Sequence, residues 1–166
     1  ENSPYTDMTL NLYRKLRAEG FDKIGIVIQA YMRRSESDIL SLKDLKPSIR
    51  LCKGIYKEAP EIAFQGKQEV RDNYKKLFNL IVENDMYIGI ATHDDELIHY
   101  GLDCVTKNKL SKDKYEFQML LGVRENKRDE ILKLGHKIRI YTPFGEDWYG
   151  YSTRRLQENP DMAGHI

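Results

Sequence analysis

The feature that most constrains this chain is a regular exchange of two hydrophobic periods. Short β-rich apolar runs at residues 23–29, 49–53, 87–92, 115–121 and 137–142 are separated by segments whose apolar residues recur at helical spacing. Between residues 69 and 83, for example, Val70, Tyr74, Leu77, Phe78 and Ile81 form one helical stripe. Further helices are expected over 4–17, from Ser35 or Ser37 to Leu45, from Asp94 or Asp95 through Val105, over 125–134, and after Asp147 to Asn159. Pro47, Gly54, Gly20 and Gly135 punctuate the pattern, and no two-residue hairpin signal joins successive runs. Such alternation calls for an α/β fold with a parallel sheet, because parallel strands need a crossover between them. The nearly continuous apolar character of 23–29 further predicts a strand buried on both faces.

Composition narrows the function classes. Charged residues make up 32% of the chain, yet the formal net charge is +1 and the signs are interleaved, so no nucleic-acid footprint is present. Cys52 and Cys104 have no metal-ligand or CxxC spacing, and His93, His136 and His165 are too scattered to add one, so no metal is expected. No run approaches the ~18 apolar residues of a transmembrane segment. A reduced, cytoplasmic protein is the expectation, with a contact peripheral to the inner membrane left open. At 166 residues, a single domain over 1–166 is expected.

Strand alternation sorts the polar residues. Gln29, Arg50, Thr92, Glu116, Gln118, Arg139 and Tyr141 lie in or at the ends of the five runs, most of them toward the C-terminal end. In parallel α/β folds that end is where ligands bind. On the last helix, Tyr151, Arg154, Arg155 and Glu158 share a face at i, i+3, i+4 and i+7. Two guanidinium groups beside an aromatic ring suit a small carboxylate, whereas a solvated ion-pair face would use the same residues. Spacing alone leaves both open. Neither a phosphate loop nor a GxSxG elbow occurs, and Lys53-Gly54 by itself is a weak signal.

Several segments together resemble the proline dehydrogenase family. Arg50-Leu51-Cys52-Lys53-Gly54-Ile55-Tyr56 is similar to its R-L-V-K-G-A-Y segment, and Ala91-Thr92-His93-Asp94 to its A-T-H-D. Residues 116–124 resemble E-F-Q-M-L-x-G-V-R. Tyr141-Thr142-Pro143-Phe144-Gly145, then Tyr151, Arg154-Arg155-Leu156 and Glu158, resemble the family's ending. The resemblance runs from about Lys23 to Asn159 and is strongest to the monofunctional bacterial enzymes. Cys52 in place of Val and Ile55 in place of Ala depart from it.

The resemblance implies a distorted TIM-type βα barrel, of which these five units would be the fourth to eighth and the C-terminal part. It implies oxidation of L-proline to Δ1-pyrroline-5-carboxylate, with FAD as cofactor and a quinone as electron acceptor. Arg50 and Tyr141 would act at the reacting centre. Gln29, Arg50, Lys53, Gly54, Ile55, Thr92, His93 and Gln118 would hold FAD. Leu120, Tyr141, Tyr151, Arg154, Arg155 and Glu158 would form the proline pocket. The alternative is a cofactor-free half-barrel acting as an interaction or dimerisation module, and self-association into a homo-oligomer stays open under either reading.

Overall fold

The computed structural model describes residues 2–146, Tyr149 and Thr153. A 3-10 turn (Ser3–Tyr5) leads into α1 (Thr6–Ala18), followed by β1 (Gly25–Gln29), α2 (Ser35–Leu40) and β2 (Ser48–Cys52). Then come α3 (Lys67–Glu83), β3 (Tyr87–Ala91), α4 (Asp95–Lys107), β4 (Tyr115–Leu120), α5 (Glu125–Lys133) and β5 (Ile138–Tyr141). The strands form one parallel sheet in the order β1-β2-β3-β4-β5, so each pairs with its neighbour in the chain.

The register explains why the two faces differ. Ile26, Ile49 and Ile88 are aligned, as are Leu51, Ile90, Phe117 and Ile138. These apolar rows meet Tyr74, Leu77, Phe78 and Ile81 of α3 and Leu97 and Ile98 of α4, all fully buried. Leu10 of α1, Ile39 of α2 and Ile131 of α5 join the same cluster. The opposite face carries Val27, Arg50, Gly89 and Glu116 in one row, then Gln118 beside Arg139 and Leu120 beside Tyr141. A period of two has thus put the apolar set against helices and the polar set on the other side.

Four local expectations are corrected. Val27 is 46% exposed, so β1 is not buried on both faces. It is an edge strand of the described sheet, and its apolar second face looks onto the polar side. The helix expected to reach Leu45 stops at Leu40 and resumes as a 3-10 turn at Lys43–Leu45. Neither serine caps it: Ser35 Oγ donates to the Gln29 carbonyl at 2.6 Å and Ser37 Oγ to the Arg34 carbonyl. Asp94 does occupy the position before α4, but its carboxylate makes no capping bond because two cations have taken it. The helix expected after Asp147 lies outside the described residues.

Candidate active site

The polar face is tied together by one chain of hydrogen bonds across three strands. Arg50 Nε in β2 donates to Gln118 Oε1 in β4 at 2.9 Å, and Gln118 Nε2 donates to Glu116 Oε1 at 2.8 Å. Arg139 of β5 closes on Glu116 with two bonds, that from Nη2 at 3.1 Å. The Arg50 guanidinium also stands 5.8 Å from the centre of the Tyr141 ring, within cation–π range. Burial pushes the Glu116 carboxyl up, but the bonds from Arg139 and Gln118 outweigh it and hold the group below its usual range. Glu116 is therefore an anion, and the face carries a fixed pattern of charge.

Gly89 makes this arrangement fit. It sits between Arg50 and Glu116 in the register, and a Cβ built there would come within 2.5 Å of Gln118 Nε2. The bare α-carbon is the bed over which the Gln118 side chain lies. Gln29 faces Cys52, and Ala91 faces Gln118. Small residues on β2 and β3 thus leave a low floor between two amide side chains.

The segments following the strands form a second cluster at the C-terminal end. Lys53 Nζ and Arg71 Nε both reach Asp94 Oδ2 at 3.0 Å. Arg71 also lies 3.5 Å from Glu96, which pairs with Lys75 at 2.6 Å. Burial opposes ionisation of Asp94, yet the two cations leave its carboxyl lowered. Gly54 has φ +97° and packs on the Tyr31 ring, where an added Cβ would come within 2.1 Å of Cδ1. The Tyr31 hydroxyl is buried without a hydrogen-bond partner among the described residues, and burial raises its pKa to about 12. Ile55 and Tyr56 project from the same loop, 44% and 41% exposed.

Thr92 and His93 have defined partners. Thr92 is buried and its hydroxyl accepts the Asp94 N–H at 3.1 Å. His93 Nε2 accepts the Leu120 N–H at 3.0 Å, which requires the other ring nitrogen to carry the proton in the neutral form. Arg124, at φ +52°, donates to the His93 carbonyl at 2.6 Å and grips Asp95 through both carboxylate oxygens.

Of the residues expected from the sequence, Arg50, Gln118 and Tyr141 come together directly. Gln29, Thr92, His93 and Leu120 lie at the same C-terminal ends of their strands, and Lys53, Gly54 and Ile55 in the loop beyond β2. Tyr151, Arg154, Arg155 and Glu158 lie outside the described residues. Sequence reasoning passed over Glu116, Arg139, Gly89 and Asp94 as site residues. Strand alternation had already set the first two among the polar strand residues without giving either a role, and the A-T-H-D segment contained Asp94.

A family model described as proline dehydrogenase matches residues 1–166. The chain belongs to the proline dehydrogenase family. It is 38% identical over 166 residues to proline dehydrogenase 1 of Bacillus subtilis strain 168, covering all of this chain and 55% of that protein. Against the proline dehydrogenase of Deinococcus radiodurans it is 37% identical over 167 residues, again all of this chain and 54% of the relative. This member of the family thus spans about half the length of those relatives. Among solved structures it resembles proline utilization A (PutA) from Bdellovibrio bacteriovorus, inactivated by N-propargylglycine. The TM-score is 0.87 at 28% identity, over 96% of this chain and 19% of that one. The five-stranded sheet, with its helices packed on one face, is a partial βα barrel of this family.

Proposed function

We propose that this chain supplies the flavin-facing and proline-binding wall of an FAD-dependent proline dehydrogenase. The observation that carries the reading is Arg50, held by Gln118 on the polar face beside Tyr141. Among the described residues, the two Nη groups of Arg50 have no hydrogen-bond partner, so its charge and donors are available to a ligand above the sheet. A flat, electron-accepting ring with carbonyl and nitrogen acceptors fits the low floor between Gln29 and Gln118. The Tyr31–Gly54 packing supports the same reading, because it sets the Lys53 loop close against the strand ends.

FAD when bound would accept the hydride that leaves the ring carbon of L-proline and pass the electrons on to a quinone. The chain's own residues bind and orient. Arg50 places a permanent cation beside the acceptor, where it stabilises negative charge as it develops. Lys53, Gly54 and Ile55 would hold the cofactor from the β2 loop, with Thr92 and His93 at the end of β3. Arg154 and Arg155, outside the described residues, would hold the substrate carboxylate through their charged donors, with Glu158 to orient them. Leu120 and Tyr141, with Tyr151 as the resemblance implies, would line the proline ring and exclude water from the reacting carbon. The product would be Δ1-pyrroline-5-carboxylate, formed as the ring nitrogen loses a proton and the adjacent carbon a hydride. Anaerobic addition of L-proline to the flavin-loaded full-length protein should bleach the flavin absorbance. A flavin that stays oxidised under saturating proline would refute the assignment.

A further inference from the structure

We propose that Glu116 is a positioning residue that fixes the Gln118 amide and, through it, the orientation of Arg50. The inference rests on the flavin reading only for the task it gives to Arg50. The geometry itself is independent of any cofactor. An ionised carboxylate accepts hydrogen bonds and donates none, whereas a guanidinium donates and accepts none. Gln118 lies between one of each, with Nε2 on Glu116 at 2.8 Å and Oε1 receiving Arg50 Nε at 2.9 Å. Reversing the amide would set a carbonyl against the carboxylate and an NH2 against the guanidinium, so both contacts would become repulsive. The two ends of the chain therefore dictate a single amide orientation.

Two neighbours make the device work. Arg139 pairs with Glu116 through both carboxylate oxygens, which keeps a side chain only 10% exposed ionised. Gly89 leaves the space in which the Gln118 side chain must lie to reach both ends. Without Glu116 the amide is free to turn, and Arg50 loses the one acceptor that defines its direction among the described residues.

The test follows the Arg50 Nε–H by nitrogen-15 NMR in the full-length protein, first without flavin. Glu116→Ala should speed exchange of that proton with solvent at least ten-fold while the backbone amides of β2 and β3 keep their protection. Arg139 is 67% exposed and can return to water, so the variant is expected to fold. Gly89→Ala perturbs the same link without altering charge: its methyl displaces the flexible end of Gln118, and the same acceleration is expected. In the flavin-loaded protein, Glu116→Ala combined with Gln118→Ala should weaken FAD binding no more than two-fold beyond Gln118→Ala alone, since the effect travels through Gln118. Unchanged Arg50 Nε–H exchange in both single variants, or a further ten-fold loss of FAD binding in the double variant, overturns the proposal. If the NMR result holds but proline fails to reduce the flavin, the functional reading falls and the positioning role stands.

Discussion

Replacing Asp94 with Asn removes one negative charge from a nearly dry position while preserving shape. The carboxylate is 5% exposed and receives Lys53 and Arg71 on a single oxygen, each at 3.0 Å. Breaking a fully buried ion pair typically costs about 3–5 kcal/mol. Here Lys53 is 43% and Arg71 31% exposed, and Arg71 keeps Glu96 at 3.5 Å, so both cations can recover hydration. The loss should therefore be nearer that of one or two charge-assisted hydrogen bonds screened by solvent, about 2 kcal/mol. For a domain of this size that lowers the melting temperature by about 4–8 °C. Urea titration should show an earlier midpoint with an unchanged slope, the signature of a stability change without a change in exposed surface. The pH dependence is more diagnostic. In the unfolded chain the Asp94 carboxyl returns to its ordinary 3.8, above its folded value. Its contribution is thus complete above that pH and drains away as the pH falls through the lower folded pKa. Asp94→Asn should flatten this part of the acid limb while shifting the neutral plateau down. A loss below about 0.5 kcal/mol at neutral pH, or an acid limb parallel to wild type, would refute the assignment of a structural anion to this site.

Gly54→Ala should be at least as costly, because a β-carbon at positive φ is strained by about 1–2 kcal/mol and would also collide with the buried Tyr31 ring. Its effect should concentrate in the Lys53 loop, seen as loss of hydrogen-exchange protection at the Tyr31 N–H, which donates to the Lys53 carbonyl at 2.8 Å. His93→Ala removes the acceptor of the Leu120 N–H and should speed exchange of that amide. An unchanged Leu120 exchange rate would show that the bond does not persist in solution.

The fold was legible where local physics decides it. Continuous β-rich runs and helical stripes are properties of neighbouring residues, so among the described residues the strands and the helices other than α2 agree with the structure to within a few residues. The polar face was legible for the same reason, since alternation assigned Arg50, Gln118, Arg139 and Tyr141 to strands before any partner was known. What escaped depends on residues far apart in the chain. Nothing near Asp94 shows that Lys53, 41 residues earlier, takes the carboxylate that would otherwise cap α4. Gly89 reads as a weak strand residue until Gln118, from the next strand, is seen lying over it. Val27 is apolar like its neighbours, and its place at the edge of the described sheet, on the face away from the helices, leaves it exposed.

The order of the strands carries a consequence for how this sheet comes apart. Because β1 to β5 follow one another in space as they do in sequence, each βα unit leans on the one before and the one after. Stability in such an array behaves as a sum of unit terms and nearest-neighbour coupling terms, much as in a linear repeat protein. The middle units, around β2, β3 and α3, have a coupling on either side and contain most of the fully buried side chains. Within the described sheet, hydrogen-exchange protection should therefore be highest at β3 and fall toward β1 and β5. Arg50 and Gln118 stand on β2 and β4, flanking that strand, so their bond bridges the best-protected part of the described sheet.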